Sequence, residues 1–384
     1  MPSLTDVTNH ICCGCKACED TCPKKCIRIE QAGLLTTIPH IDTSRCVKCG
    51  FCLKVCPTIK HSLFEIQYAE VGVHYQSEEI VQSASGAAFW ALCQQLLEEG
   101  YIVCGVKWSQ QWKAIFDIAT TIEECKNFRK SKYVYADTSN IFTRVKKYLI
   151  DGKKVLFVGL PCQVAACRNF IGNHPNLLLV DLICHGAPPQ DIFDSEIKYI
   201  QSKYKQGITG YSFKGKKKIY GHYNSRSSVV QLENGKEYVF TTEEDPFLRG
   251  YYLRLFNRFS CSVCPFAQSR RSGDITLGDA WGVESLYPAF NPLFGTSLIL
   301  YNTTKGLHYK GLLHSKMDLC YVPISWAIET NEQLRHPSKV HLNQKQFLSI
   351  YYQMTFYRAV FKVCPLSLKR QLRLFVKQLL KKKY

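Results

Sequence analysis

The sequence predicts a small α+β unit at the N-terminus, then an α/β domain with a mixed sheet and a helical C-terminus. Three observations lead there. Two cysteine runs of identical spacing, each closed by Cys-Pro, begin at Cys12 and Cys46. Strand-like and helix-like patterns alternate from about residue 77 to 204, as in a sheet fed by helical crossovers. Beyond residue 296 two short strands give way to helical periodicity.

With 384 residues the chain is too long for one ordinary core, so two or three domains are expected. The pattern divides it into residues 1–66, 67–330 and 331–384. No low-complexity linker marks the joints, and the boundary near 66–76 rests on the change of pattern alone. Twenty cysteines are far above ordinary usage. Chains of that kind are secreted disulfide scaffolds or intracellular metal proteins. Residues 1–11 hold no apolar signal core, and no run of 18 apolar residues exists to span a membrane. The cysteines are therefore expected to be reduced, metal-bound or buried, in a cytoplasmic protein.

The formal charge is +18, from 49 Lys+Arg against 31 Asp+Glu. That charge is the only support for a nucleic-acid partner, which is not expected. Four thiolates around a 2+ cluster core carry about −2, so three such centres would remove roughly six charges. Much of the remainder lies in KRQLRLFVKQLLKKKY (369–384). The basic amphipathic helix expected over 365–382 packs on the domain or makes a peripheral contact with an anionic membrane face.

In the N-terminal unit the spacing is C-x2-C-x2-C-x3-C-P, twice without error. Three thiolates on a tight loop reach three irons of one cubane, and the chain then turns away at the proline. In two-cluster ferredoxins the fourth cysteine of each run serves the other cluster. That assigns Cys12, Cys15, Cys18 and Cys56 to one 4Fe-4S cluster, and Cys46, Cys49, Cys52 and Cys22 to the other. Gly14 and Gly50 give the loops room. Zinc has no use for eight cysteines with two matching Cys-Pro ends. Cys13 and Cys26 fall outside the register, and Cys26 reads as a buried apolar residue.

The second part opens with a helix over 86–99, stopped by Gly100. Paired strands follow at 101–108 and 112–119. A helix over 139–152 with Ser139 as its cap precedes the buried strand 154–160. Pro161 opens the next helix, 161–172. Strand 176–184 and helix 188–204 complete the alternation. Residues 208–240 read as an antiparallel insertion turning at Asn234-Gly235. Helix 246–257 leads to Cys261 and Cys264. Strands at TSLILYN and LCYVPIS and helices at 304–314 and 343–353 fill the remainder.

Cys162 follows one buried strand and opens a helix, whose N-terminus favours a thiolate. Cys184 ends the next strand, so both could share the edge where α/β folds place their sites. Cys261 and Cys264 form a C-x2-C pair followed by proline. Spacing alone leaves two readings open. The four hold a third 4Fe-4S cluster, or two are core cysteines and the pair is a zinc half-site. Cys93, Cys104, Cys125, Cys167, Cys320 and Cys364 sit mostly at apolar periodic positions and read as core.

Seven strings, in order, carry a resemblance: the cysteine repeat, SASGAAFWAL (83–92), KSKYV (130–134), VGLPCQVAA (158–166), DLICHGAPP (181–189), FKGKKKIYGHY (213–223) and CSVCPFAQSRRSGDITLGDAWG (261–282). The chain resembles the beta subunit of coenzyme F-420 (deazaflavin) hydrogenases and dehydrogenases, in the form with an N-terminal two-cluster ferredoxin. The resemblance covers nearly the whole chain to about residue 300. It implies a flavoprotein that passes electrons between clusters, a bound FAD and a redox partner, and it favours the third cluster. It places Ser83, Ser85 and Gly86 at the flavin, although the family usually has two glycines where this chain has Gly86-Ala87. It puts Lys132 and Tyr133 in a loop touching the flavin, and Asp274, Asp279 and Trp281 in the family's signature. Read without the family, these last three are turn-forming acids and a packed indole. The basic loop Lys214–Lys218 suits a phosphate or acidic substrate, or is a solvated hairpin tip.

The expected function is that of an iron-sulfur flavoprotein oxidoreductase. It exchanges electrons with a redox protein and passes them through a third cluster and FAD to a small organic acceptor, a deazaflavin or a biosynthetic intermediate. The alternative is an electron-transfer subunit with no substrate of its own. No catalytic triad, paired-carboxylate pattern or Walker loop competes, and GLPCQ lacks the glycine spacing of a dinucleotide fingerprint.

Overall fold

The computed structural model describes residues 4, 11–219, 222–224, 226–290, 294–368 and 370–371. The two cysteine runs fold alike. Each passes through left-handed backbone, Gly14 (φ 72) and Gly50 (φ 74), which a residue with a Cβ rarely adopts. Each then forms a five-residue helix, α1 (Ala17–Thr21) and α2 (Phe51–Val55). Each leaves through its last cysteine in extended conformation, ψ 114 at Cys22 and ψ 117 at Cys56. The antiparallel hairpin β1 (Ile27–Gly33) and β2 (Thr36–Ile41) lies between them.

The centre of the molecule is one eight-stranded mixed sheet. Its strands are β3 (Tyr68–His74), β4 (Tyr101–Trp108), β5 (Ala114–Ala119), β6 (Lys154–Gly159), β7 (Leu177–Leu182), β8 (Ile275–Asp279), β9 (Ser297–Tyr301) and β10 (Met317–Tyr321), in spatial order β10-β3-β9-β8-β7-β6-β4-β5. The four middle strands, β8, β7, β6 and β4, are parallel, and both flanks are antiparallel. Both faces are covered, and the period of two shows why. Ile102, Cys104, Val155, Phe157, Leu177 and Leu179 join one core. Tyr101, Val103, Leu156, Val158, Leu178 and Val180 join the other. Buried parallel strands are apolar on both sides for this reason.

Helix α3 (Ala88–Glu98) contributes to the second core. Helices α4 (Ile141–Ile150), α5 (Pro161–Ile171) and α6 (Gln190–Tyr204) contribute to the first. Within 208–241, strands Ile208–Ser212, Ser227–Leu232 and Glu237–Thr241 form an antiparallel sheet, turning at Gly235 (φ 77). A short hairpin pairs Lys217–Ile219 with His222–Asn224. Among the described residues three α-helices, Ile324–Thr330, Gln344–Ile350 and Phe356–Val363, follow the last strand. The basic helix expected over 365–382 lies largely outside the described residues.

Two local expectations change. Ser139 does not cap α4: Asn140 precedes the helix with φ 60 and no side-chain cap. The Ser139 hydroxyl instead donates to Asp137 (2.8 Å), and Asp137 pairs with Lys16 of the first cysteine loop (2.7 Å). The cap has been given up to a contact with the N-terminal unit. The helix expected over 246–257 is shorter, Pro246–Tyr252, because Arg254 turns left-handed at φ 61.

Candidate metal and cofactor sites

The charges felt by the cysteines of the repeat mostly follow the crossed grouping expected from their spacing, although Cys18 also feels Cys52. The Cys18 thiol is pushed up by burial and then by the charges of Cys12 and Cys56. Cys15 feels Cys18 and Cys56, and Cys12 feels Cys56. Cys56 therefore stands with the first loop. Cys46, Cys49 and Cys52 are mutual neighbours. Cys22 is joined to that side through Cys26, whose Sγ lies 3.4 Å from Cys22 Sγ and whose other neighbour is Cys46. Burial opposes a thiolate at Cys22, but the Cys26, Lys24 and Lys25 amides and the Cys26 thiol outweigh it and hold its pKa down. A loop of inward N–H groups suits a cluster sulfur.

The two groups differ in depth. Cys15 and Cys18 are buried, and α1 packs on α4 and α5. Thr138 donates to the Cys15 carbonyl (2.7 Å). Cys49 is exposed, with Val47 57% and Phe51 46% exposed beside it.

Cys162, Cys184, Cys261 and Cys264 line one recess of about 40 Å³. The topology brings them there. β6 and β7 are adjacent and parallel, so Cys162 at the start of α5 and Cys184 after β7 leave the same sheet edge. Asp181, almost wholly buried, accepts from the Ser272 and Gly273 amides (2.9 Å each) and from Arg271 (3.0 Å). Arg271 also donates to the Phe266 and Gln268 carbonyls (3.1 Å each), anchoring the loop after Cys264. The expected thiolate preference at Cys162 is reversed in the bare protein. Its bond with Cys13 and its burial push the thiol well up, over the favourable helix start. Iron ligation would replace that proton outright.

The fit to a cluster is good. Four sulfurs from three loops face one enclosed space, and the Arg258 guanidinium lies beside Cys261, Cys162 and Cys13. Burial opposes its charge, and the surrounding thiols and Tyr135 outweigh that. A buried cation next to four thiolates offsets the net charge of such a centre. Among the described residues no three His, Cys, Asp or Glu side chains gather closely enough for a single metal ion. Each iron of a cluster needs only one cysteine.

Close to Cys184 lies a packed group of tyrosines and charged side chains. Tyr133 stacks on Tyr251 at 4.3 Å between ring centroids, and the Cys184 charge is felt at Tyr251. Lys214 pairs with Asp279 (2.7 Å), the Ser85 hydroxyl lies near Asp279, and His185 lies close to both Asp279 and Lys214. Burial opposes the Asp279 carboxylate, but Lys214 outweighs it and keeps the pKa low. Lys216, 3% exposed, donates to the Ile80 (2.6 Å) and Ser85 (2.8 Å) carbonyls. Burial, then the charge of Lys214, lowers its pKa to about 7.

The other predicted residues are placed as follows. Ser83 accepts from Arg129 (3.2 Å), and Ser85 donates to the Thr296 carbonyl (2.8 Å). A Cβ on Gly86 would stand 2.3 Å from the Gly72 carbonyl oxygen, so its smallness serves close backbone contact. Lys132 folds back onto the Asn127 (2.9 Å) and Arg129 (2.8 Å) carbonyls, with its pKa lowered to about 7 by burial and then by Lys130. Trp281 is 42% exposed rather than packed. Asp274 holds Arg168 (3.2 Å), Thr303 (3.0 Å) and the Leu179 amide (2.9 Å), a structural set. Sequence reasoning passed over His185, Tyr251 and Tyr252. The CHG string signalled the first, and nothing local signalled the tyrosines. The chemistry of this group, with clustered lysines, stacked tyrosines and a buried Thr296 hydroxyl that has no partner among the described residues, suits an anionic aromatic cofactor.

Fold and sites together define an iron-sulfur protein built on a mixed α/β sheet. Residues 11–59 match the 4Fe-4S dicluster domain. Residues 73–142 match the N-terminal and 152–316 the C-terminal model of the coenzyme F420 hydrogenase/dehydrogenase beta subunit. The chain belongs to that family. It is 26% identical over 165 residues to the coenzyme F420-dependent sulfite reductase of Methanocaldococcus jannaschii, over 42% of this chain and 25% of that protein. It thus spans about a quarter of that relative's length. It is 39% identical over 54 residues to NADH-quinone oxidoreductase subunit I of Pelobacter propionicus, 12% of this chain and 29% of that one. A chain of the F420-reducing NiFe hydrogenase complex from Methanosarcina barkeri superposes with a TM-score of 0.46 at 16% identity, over 76% of this chain and 94% of that one.

Proposed function

We propose that the chain is an iron-sulfur flavoprotein oxidoreductase with three 4Fe-4S centres and one FAD. The observation that carries the reading is the convergence of Cys162, Cys184, Cys261 and Cys264 in one recess beside Cys13 of the first cysteine loop, with Tyr251 near Cys184. Cys12, Cys15, Cys18 and Cys56 hold an inner centre. Cys46, Cys49, Cys52 and Cys22 hold an outer one. Lys214 and Lys216 meet the cofactor's phosphates, and Tyr133 and Tyr251 meet its ring. A bound flavin supplies exchange between single electrons and a hydride equivalent. The protein's part is positional. Asp279 holds Lys214, Lys216 is held by two carbonyls, and Arg271 and Asp181 fix the loops that carry the cysteines.

The outer centre is the port for a redox protein. Residues 22–60 hold seven basic side chains (Lys24, Lys25, Arg28, Arg45, Lys48, Lys54, Lys60) against Glu30 and Asp42. With Val47 and Phe51 exposed at its middle, that face suits an acidic electron carrier. Beyond the flavin, a small organic acceptor, a deazaflavin or a biosynthetic intermediate, completes the path. Among the described residues all cysteines are unpaired, which suits a reducing cytoplasm, and no helix is long and apolar enough to cross a membrane.

Cys162→Ser, purified without oxygen, tests the assignment. Loss of about four irons with the N-terminal centres intact supports it. An unchanged count removes Cys162 from the ligand set. The second reading, an electron-transfer subunit with no substrate of its own, is favoured by that exposed outer face. It predicts no turnover alone and flavin reduction only with a partner enzyme.

A further inference from the structure

A separate cleft of about 530 Å³ opens where the N-terminal unit meets the sheet domain, away from the metal and flavin sites. Lys54 of α2, Lys60 and Phe64 line it from the N-terminal side, and Arg168 and Asn169 of α5 and Lys305 from the other. The seam is tied beside the cleft. Asn169 Nδ2 donates to the Lys60 carbonyl (2.5 Å), and Phe64 and Arg271 exchange main-chain bonds (2.9 and 2.8 Å). Two of the cations are held in place. Arg168 donates to the Ser272 carbonyl (3.1 Å) and to Asp274 (3.2 Å), and its guanidinium lies 4.7 Å from the Phe64 ring centroid. Lys305 donates to the His174 (2.8 Å) and Leu177 (3.1 Å) carbonyls. Lys54 and Lys60 are exposed. Among the described residues Asp274 is the one carboxylate on the wall, and Arg168, Thr303 and the Leu179 amide already engage it. Lys54, Lys60, Arg168 and Lys305 against that one acid leave three positive charges in excess.

We propose that this cleft binds a nucleotide-sized organic phosphate of two or more negative charges, held by Lys54 and Lys60 from the N-terminal unit and by Arg168 and Lys305 from the sheet domain. Size and charge together select that class. The volume falls within the roughly 300–1,000 Å³ of small-molecule sites, and inorganic phosphate alone would leave most of it to water. Lysine meets phosphate as a point charge and arginine as a planar donor. Ser62, Asn173 and Thr304 add hydroxyl and amide groups to the wall. Acidic side chains of a protein carrier would meet the exposed lysines. Arg168 and Lys305, already immobilised against the sheet domain, suit a ligand small enough to enter. Such an anion bridges the two units, so its binding free energy adds to the hold of one on the other. The cleft shares no lining residue with the group around Asp279, and the proposal stands with or without the third centre and the flavin.

The test is titration calorimetry of the full chain with its clusters, purified without oxygen, using ATP, pyrophosphate and inorganic phosphate as probes at low ionic strength. ATP is expected to bind at a single site per chain, more tightly than inorganic phosphate, with an affinity that falls as salt is added. Lys60→Glu and Lys305→Gln, on opposite sides of the seam, are each expected to weaken ATP about tenfold or more at an unchanged iron count. The glutamine removes the charge and keeps a donor for the carbonyls. Should Lys305→Gln lose iron, the exposed Lys60→Glu decides alone. Lys214→Met is expected to leave the ATP affinity as it is. No binding of ATP or pyrophosphate at millimolar concentration overturns the site, as does an unchanged ATP affinity in Lys60→Glu. An affinity lost in Lys214→Met and kept in both cleft variants also overturns it, placing the phosphate beside Asp279. So does a cleft indifferent to ATP whose variants slow reduction by an acidic ferredoxin, which makes it a protein contact. A wild type with about eight irons that still binds ATP through Lys60 refutes the third centre and supports this site.

Discussion

Arg271 Nη2 lies 3.0 Å from Asp181 Oδ1, and both side chains are almost wholly out of water. The pair joins the loop after Cys264 to the strand that delivers Cys184. Removing Arg271 leaves the Asp181 charge buried with only the Ser272 and Gly273 amides and the Thr276 hydroxyl to hold it, and no opposite charge. Arg271→Met is therefore expected to cost about 3–5 kcal/mol of stability. Its recess iron should also be lost before the N-terminal iron. Denaturant titration with parallel iron counts checks both, and a stability within the error of wild type would contradict the account.

Because Cys56 stands with Cys12, Cys15 and Cys18, Cys56→Ser is expected to damage the inner centre and Cys22→Ser the outer one. Uncrossed ligation would exchange the two outcomes. The inner centre is the one packed against α4 and α5. Its loss should also weaken spin coupling to the recess centre, read as splitting in electron paramagnetic resonance, and loss of the outer centre should not.

The lysine face around Cys49 gives a salt-dependent expectation. Pre-reduced acidic ferredoxin should bleach the clusters at a second-order rate that drops roughly tenfold when Lys48 and Lys54 are changed to Glu, and falls likewise at high ionic strength. Cluster content and the absorbance finally bleached by dithionite should stay unchanged. A rate indifferent to both would place docking elsewhere.

Lys216 sets a pH dependence. Burial and Lys214 bring its pKa to about 7 in the folded protein, against 10.5 for an ordinary lysine. Below pH 7 both folded and unfolded chains hold the proton. Above it the unfolded chain binds more, so this group's contribution to stability rises with pH. In flavin-free protein, the wild-type stability minus that of Lys216→Met should increase between pH 7 and 8.5. A bound phosphate raises the lysine pKa, so adding FAD at pH 8 should take up protons, and at pH 6 it should not. Calorimetry in buffers of different ionisation enthalpy reads this directly. A pH-independent difference would remove Lys216 from the anion site.

What the sequence made legible follows from how local each signal is. The Cys-Pro repeats, Gly14 and Gly50 act within a few residues, so the two loops were legible, and the crossed assignment rests on how two-cluster ferredoxins use their fourth cysteine. Cys162 and Cys184 converge because parallel strands end on one edge, which alternating patterns reveal. Cys13, on the wall of the recess, was hidden because a motif accounts for its neighbours and a register says nothing about the residue it skips. Ser139 looked like a cap, but Asp137 and Lys16 bind it from a distant segment. Lys216 read equally as a contact for a phosphate or acidic substrate and as a solvated hairpin tip, and only the tertiary fold shows its amine held by the Ile80 and Ser85 carbonyls. Tyr251 and Tyr252 belong to a helix whose partner, Tyr133, is more than a hundred residues away in sequence.

The account's central claim is the third centre with its flavin, and anaerobic purification followed by iron, sulfide and flavin analysis tests it most directly. About twelve irons and one flavin per chain are expected. About eight irons and no flavin would contradict it, leaving a two-cluster ferredoxin joined to a domain of other purpose.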